Sequence, residues 1–306
     1  MDNILVIMGP TASGKSSLAL KAAEMFDGEI VSADSMQLYR GLEIGTAQPT
    51  QEERKKAPHH LVGIWDIDRR ADVFTFQALA DEAIRDIRKR GKLPIVAGGT
   101  GLYLKNLLYG LDDMPGDRSI RKELDELYDS PEKEPLLFEK MAQLDPEALE
   151  KFRLCRRRLI RALEVKIITG KSILELQSQS EKTLRYPDIT AVKLDIPPEE
   201  LAKKIAVRAK KMLEDGWIEE AQAAINNGLL TSPTAHQALG YKIISSYLNG
   251  DFDFNTLYEK ICAATRQYAR RQRTWFRHQH PEAVALSGAE AEDFIRRADK
   301  LYNRSR

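Results

Sequence analysis

Cysteine is scarce in this chain. Cys155 and Cys262 are the two present in 306 residues, far apart and without a C-x-x-C spacing. This excludes a disulfide framework and a thiolate zinc site, and it fits a reducing compartment. Long apolar runs are also missing: no stretch approaches the roughly 20 residues that span a bilayer. Neither sign of charge is in excess, since 47 Lys and Arg against 46 Asp and Glu leave +1. Net charge therefore argues for no polyanion partner, and the distribution of charge along the chain decides. Repeats and low-complexity tracts are absent. The first strand signal begins at Ile4, and no secretory leader is expected ahead of it. The adjacent pair His59-His60 lacks a third ligand, and adjacent residues share no helix face, so a structural or surface role is expected rather than a metal site.

What is present begins at once. "ILVIMGPTASGKSSLAL" runs from an apolar strand signal, Ile4–Met8, through Gly9, Pro10, Thr11, Ala12, Ser13 and Gly14 to Lys15 and Ser16. This is G-x-x-x-x-G-K-S between a strand and a helix, the context that a phosphate-binding loop requires. Its backbone N–H groups and helix N-terminus converge on a phosphate, Lys15 adds a point charge, and Ser16 is placed to ligate Mg²⁺. A helix is expected over Lys15–Met25, a strand over Glu29–Ala33, and a helix with apolar positions at Phe76, Leu79, Ala83, Ile84 and Ile87, closed by Gly91. "LPIVAGG" follows as a buried strand. Alternating strands and helices predict an α/β fold, a phosphate-loop core with a parallel sheet flanked by helices. From Asp112 the chain becomes acidic and helical, and "ITAVKLDIP" from Ile189 returns as a strand. The expected division is a core over 1–112 and 185–306, with late helices, and a mostly helical insertion over 113–184.

A further absence bears on function. Nucleotide-hydrolysing phosphate-loop enzymes carry a second strand ending in a Mg²⁺-binding Asp. Here that strand ends in Gly98-Gly99-Thr100-Gly101. ATPase and GTPase readings weaken, while small-molecule kinases, which can lack that Asp, remain. Thr100 offers a hydroxyl in a turn that either approaches a ligand or simply reverses the chain. Asp34 follows a strand, so it belongs at the carboxyl edge of the sheet beside the phosphate loop, where open α/β folds bind ligands. A carboxylate there can accept a proton or hold Mg²⁺ through water, or it can cap the turn that follows.

Two basic clusters complete the pattern. "RLCRRRLIR" holds Arg157, Arg158 and Arg161, and "ATRQYARRQRTWFRHQH" holds Arg266, Gln267, Arg270, Arg271 and Gln272 among aromatics. On a helix Arg266, Arg270, Arg273 and Arg277 share one face. Arg and Gln interleaved with aromatics suit phosphate contacts and stacking on unpaired bases; the alternative is a solvated face paired with the acidic insertion.

Taken in order, "GPTASGKSSLAL", "GEIVSADSMQLYRGLEIGTAQPT", "APHHLVGIWD", "PIVAGGTGLYLKNLLYGL", "RRLIRALEV" and "LGYKIISSYLNGD…CAATRQYARRQRTWFR" resemble the bacterial tRNA dimethylallyltransferases through nearly the whole chain. The resemblance implies transfer of a dimethylallyl group from dimethylallyl diphosphate to N6 of the adenosine immediately 3′ of the anticodon, with Mg²⁺ as cofactor. It implies that residues 9–16 hold the donor diphosphate rather than ATP, and that Arg208 helps. It makes Asp34 the base, sets Ser35, Met36 and Gln37 against the flipped-out nucleotide, puts Thr100 near the reacting adenosine, and gives both basic clusters to the anticodon stem-loop. Eukaryotic relatives carry a zinc finger that this sequence lacks, so a cytoplasmic, zinc-free enzyme of bacterial type is expected, and nothing demands more than a monomer. A nucleotide or small-molecule kinase explains the loop and Asp34 but not the Arg-aromatic helix. A non-catalytic tRNA-binding protein would leave Lys15, Ser16 and Asp34 without a task.

Overall fold

The computed structural model describes residues 3–110, 114–179, 183–186, 188–280 and 283–302. The border expected at 112–113 lies outside them. The chain forms two compact units, one of Met1–Leu108 with Tyr186–Arg306 and one of Tyr109–Arg185.

The first unit is built on a parallel sheet. In chain order it contains β1 (Ile4–Met8), α1 (Lys15–Phe26), β2 (Gly28–Ser32), α2 (Gln51–Lys56), β3 (His59–His60), α3 (Val73–Lys89) and β4 (Leu93–Gly98). Helix α4 (Gly101–Tyr109) follows. The second unit contains α5 (Arg118–Tyr128), α6 (Glu134–Leu144), α7 (Pro146–Phe152), α8 (Arg156–Thr169) and α9 (Ile173–Gln179). The chain then returns to the first unit with β5 (Ile189–Leu194), α10 (Pro198–Glu214), α11 (Trp217–Asn226), α12 (Tyr241–Leu248), α13 (Phe254–Gln279), β6 (Val284–Leu286) and α14 (Gly288–Tyr302).

The strands pair in the order β3-β2-β4-β1-β5-β6, all parallel. β1 is buried along its whole length, the signature of a parallel strand covered on both faces. Val6 sits level with Val96 of β4 and Ala191 of β5. Because side chains alternate, Leu5, Ile7, Ile30, Ile95 and Val192 share one face and pack with α1 and α14. Helix α3 covers β2 and β4 with Phe76, Ala80, Ile84 and Ile87, and Phe76 stacks on Tyr103 of α4 at 4.1 Å. The expected α/β class and phosphate-loop topology hold. Beyond Pro198 the sequence reads as helical almost to its end, yet β6 interrupts it: three residues are too few to show a period of two, and pairing with β5 supplies what local pattern does not.

β3 is also short, and its histidines serve the sheet's amino end. His60 Nε2 lies 2.7 Å from the buried carboxylate of Glu29, which Arg90 also grips. The described residues contain no group of three or more His, Cys, Asp or Glu fit to hold a metal. None of their helices is long and apolar enough to cross a membrane.

The second unit has its own core of Leu137, Met141, Phe152, Leu159, Ile160 and Leu163. The nearly buried Glu164 pairs there with Arg161 at 2.8 Å and Arg121 at 3.3 Å, and accepts the Asp117 N–H.

Parallel neighbours bring the ends of β1, β2 and β4 to one edge. Ala33 N–H donates to the Ala97 carbonyl and Thr100 N–H to the Ala33 carbonyl, locking the turns after β2 and β4 together. A Cβ on Gly98 would collide with the Ala33 carbonyl. Gly98→Ala is therefore expected to lower stability to urea by about 1–3 kcal/mol, the usual cost of overpacking. An unchanged unfolding midpoint would contradict this contact.

Candidate active site

The phosphate loop leaves β1 at Gly9 and enters α1 at Gly14, which adopts a left-handed φ of 94°. No side chain caps α1, so the first amides of the helix face the loop without an intrahelical acceptor. Ala12, with φ 63°, packs against Ile196, Leu201, Ile205 and Ala269. Ser13 Oγ is buried without a hydrogen-bond partner among the described residues, and Lys15 Nζ donates to the Pro10 carbonyl at 3.3 Å. A cation, unpaired amides and an unused hydroxyl around one glycine turn form a cradle for an anion.

Two side chains fix this loop from outside. Arg208 of α10 donates to Thr11 Oγ1 at 3.0 Å. Gln272 of α13 accepts the Thr11 N–H at 2.8 Å and donates to the Gly99 carbonyl at 2.8 Å. Asp34 lies beyond β2, where one oxygen accepts the Met36 N–H at 3.0 Å, closing the turn. The Ser35 N–H donates to Thr100 Oγ1 at 3.0 Å, so both turns at the sheet edge aim as a unit. Both roles weighed for Asp34 are thus open to one carboxylate: Oδ1 shapes the turn, and Oδ2 makes no protein hydrogen bond among the described residues.

A cavity of about 390 Å³ lies against these groups. Thr11, Asp34, Ser35, Met36, Arg208 and Arg271 line it together with Tyr268. Its remaining wall is largely apolar, with Ile205, Ala209 and Met212 of α10 beside Trp217, Leu239 and Ile261. Tyr268 is pushed up by burial and by the charge of Asp34, so it is a neutral hydroxyl near neutral pH. Burial likewise lowers Arg208, with Asp34 opposing.

The remaining sequence candidates separate. Arg266 and Arg270 line a second groove of about 510 Å³ between α10 and α13, with Arg273 and Arg277. Gln267 is exposed on the same helix. Gln272, expected among the RNA contacts, is buried as the clip between two loops. Gln37 lies under the site, donating to the Thr46 and Ala47 carbonyls. Arg157 and Arg158 are exposed on α8 of the second unit, where Arg161 is committed to Glu164 and the Met114 carbonyl. Sequence reading missed Tyr268 as a lining residue and, around the Arg208 that the resemblance singled out, the rest of its α10 stripe, Ile205, Ala209 and Met212. That stripe has helical spacing, i, i+3, i+4, i+7, but only the fold tells which stripe meets a cavity.

The residues also fit Mg²⁺. This ion takes one or two protein oxygens and completes its shell with phosphate oxygens and water. The exposed hydroxyl of Ser16 in the first turn of α1 and the carboxylate of Asp34 supply that small set.

Residues 37–279 match the family model described as IPP transferase, and residues 2–70 match the one described as isopentenyl transferase. The chain belongs to the IPP transferase family. Within that family it is 43% identical over 275 residues to tRNA dimethylallyltransferase 2 of Geotalea uraniireducens, covering 89% of this chain and 88% of that one. It is 42% identical over 281 residues to the tRNA dimethylallyltransferase of Acetivibrio thermocellus, covering 90% and 89%. Among solved structures, the tRNA isopentenylpyrophosphate transferase of Staphylococcus epidermidis superposes with a TM-score of 0.71 at 32% identity, covering 99% of both chains. A eukaryotic dimethylallyltransferase acting on tRNA gives 0.77 at 28% identity, over 99% of this chain and 77% of that one.

The loop cation has a measurable cost. Burial lowers Lys15 from 10.5 to about 8, Asp34 pulls it back up, and Arg208 lowers it further. Between about 8 and 10.5 the folded chain binds fewer protons than the unfolded chain, so stability rises with pH across that window. At pH 7 the charge costs up to about 3 kcal/mol. Lys15→Met should therefore raise the Tm at pH 7 by several degrees while weakening anion binding at the loop. A lower Tm would show that the charge is already compensated in the ligand-free protein.

Proposed function

We propose that the protein transfers a dimethylallyl group from dimethylallyl diphosphate to N6 of the adenosine immediately 3′ of a tRNA anticodon, giving N6-isopentenyladenosine and diphosphate. The observation that carries this reading is the sharing of one cavity by Asp34 and by Thr11 and Arg208 of the diphosphate cradle. Family membership supports a prenyl diphosphate over ATP as the occupant of the loop, as the resemblance implies.

The chemistry follows from charge. The allylic C–O bond breaks with its electron pair leaving on diphosphate, and a C–N bond forms to N6. The loop amides, Lys15 and Arg208 hold the leaving diphosphate where its negative charge grows, the kind of preorganised stabilisation that lowers a barrier most. Asp34 accepts the N6 proton. Ser35 and Met36 line the path of the base, and Thr100 holds that turn through the Ser35 amide. Tyr268, kept neutral, offers a hydroxyl without adding charge. Mg²⁺, held by Ser16 and Asp34 through water, would neutralise part of the diphosphate charge. The target base leaves its stack to enter the cavity. Arg271, which lies 5.7 Å over the Tyr268 ring, guards the entrance, and Arg266, Arg270, Arg157 and Arg158 contact RNA phosphates. The enzyme acts in the cytoplasm as a monomer.

Labelled dimethylallyl diphosphate, Mg²⁺ and unmodified tRNA test this directly: label is expected in RNA only when adenosine follows the anticodon. ATP consumption without label transfer would overturn the reading in favour of a kinase. Asp34→Ala should lower kcat about 10²-fold or more with binding kept. Unchanged turnover would remove Asp34 as the base. Arg271→Ala should raise the KM for tRNA and reduce the salt slope of binding by about 1; an unchanged slope would place Arg271 off the phosphates.

A further inference from the structure

The turn over residues 42–47 stands apart from the phosphate loop, yet Gly45 and Thr46 line the cavity. Its position depends on one distant carboxylate. Glu220 of α11 accepts the Ile44 N–H at 2.7 Å and the Gly45 N–H at 2.8 Å. The same carboxylate accepts the hydroxyl of Tyr241, from α12, at 2.7 Å. Two successive backbone amides on one carboxylate make charge-assisted bonds, stronger than neutral ones.

The turn is seated as well as bonded. A Cβ on Gly45 would collide with the Trp217 indole nitrogen and the Tyr241 hydroxyl. Trp217 and Tyr241 are buried and meet edge to face, with centroids 6.0 Å apart. Only glycine lets the turn lie against this pair while Glu220 holds its amides. From the turn a second set of bonds runs back to the sheet edge. Gln37 Nε2 donates to the Thr46 carbonyl at 3.2 Å and the Ala47 carbonyl at 2.9 Å, and Gln37 Oε1 accepts the Ser32 hydroxyl at 2.8 Å. Tyr241, Glu220, the turn, Gln37 and Ser32 thus form one connected path ending at the segment that bears Asp34.

We propose that Glu220 is a positioning residue for the acceptor base. It fixes the Gly45–Thr46 wall against which the base rests and, through Gln37, the aim of residues 34–37. This rests on the prenyl-transfer reading above. The anchors of the diphosphate end, Arg208 on Thr11 and Gln272 on the loop, lie outside this path. Loss of Glu220 therefore weakens use of the RNA and spares the donor.

The experiment first measures transfer by the unaltered enzyme; failure at that step belongs to the functional reading and not to Glu220. Glu220→Gln then keeps the side-chain volume but turns an amino group toward a backbone N–H. The expected result is a fall of about tenfold in kcat/KM for RNA, with the Kd for dimethylallyl diphosphate in the presence of Mg²⁺ within about twofold of the unaltered enzyme. Tyr241→Phe, which leaves both amide bonds intact, should move the same quantity about threefold in the same direction, and it carries the test if Glu220→Gln does not fold. Glu220→Gln combined with Gln37→Ala should cost little more than the worse single change, because both act through one wall. Equal losses for donor and RNA, no loss for either, or effects that multiply in the double variant would each overturn the proposal.

Discussion

The site hangs on the side-chain amide of Gln272. Its oxygen takes the Thr11 N–H and its nitrogen serves the Gly99 carbonyl, both at 2.8 Å and both away from water. A backbone donor or acceptor left unpaired in such a place costs about 1–3 kcal/mol. One residue of α13 therefore satisfies two loops at once and fixes their separation. With Arg208 on the Thr11 hydroxyl, the phosphate loop is held from α10 and from α13. The turn after β4 is locked in turn to the turn after β2, through Thr100 and the Ala33 carbonyl. The position of Asp34 relative to the phosphate loop follows from these few bonds.

This rigidity is needed because the electrostatics oppose it. Lys15 and Arg208 both lose hydration, and both feel Asp34 as their nearby compensating charge. Two half-buried cations against one carboxylate leave an excess of positive charge, which an anionic ligand relieves. A floppy loop would escape by turning Lys15 out to solvent. The bonds from Arg208 and Gln272 to Thr11, and the packing of Ala12 on Ile205 and Ala269, block that escape. Stability is surrendered in the ligand-free protein, and an anion entering the loop recovers it as binding energy.

Much of this was legible in sequence because it is local. The phosphate loop declares itself by glycine spacing between a strand and a helix, and β1, β2, β4 and β5 by short apolar runs with turn residues at their ends. Asp34 was visible because a residue just past a parallel strand has only one place to go. What was hidden depends on distant pairing. β6 is three residues long and exists through β5. Arg208 sits among lysines on a helix that reads as ordinary surface, and only the resemblance singled it out. Gln272 lies within "ARRQRT", where its neighbours are arginines, and burial of a single position in such a run leaves no mark on composition. Glu220 is a helix glutamate whose importance comes from two amides 175 and 176 residues earlier in the chain.

Helix α13 shows why such a run nonetheless carries order. At 100° per residue, Thr265, Tyr268 and Arg271 fall on one stripe and Arg266, Arg270, Arg273 and Arg277 on the next. The first stripe lines the cavity beside Asp34 and the second lines the outer groove. Gln272 points inward beside the first. A sequence that looks like one basic patch is thus two faces separated by helical phase, and their register is set by the Gln272 amide together with the buried Ala269 and Phe276. Shifting that register by one residue would turn Arg271 into the protein interior and a clip residue into solvent. The density of arginine around 266–277 is therefore not free to drift, since each cation keeps its groove only while its helix keeps its turn.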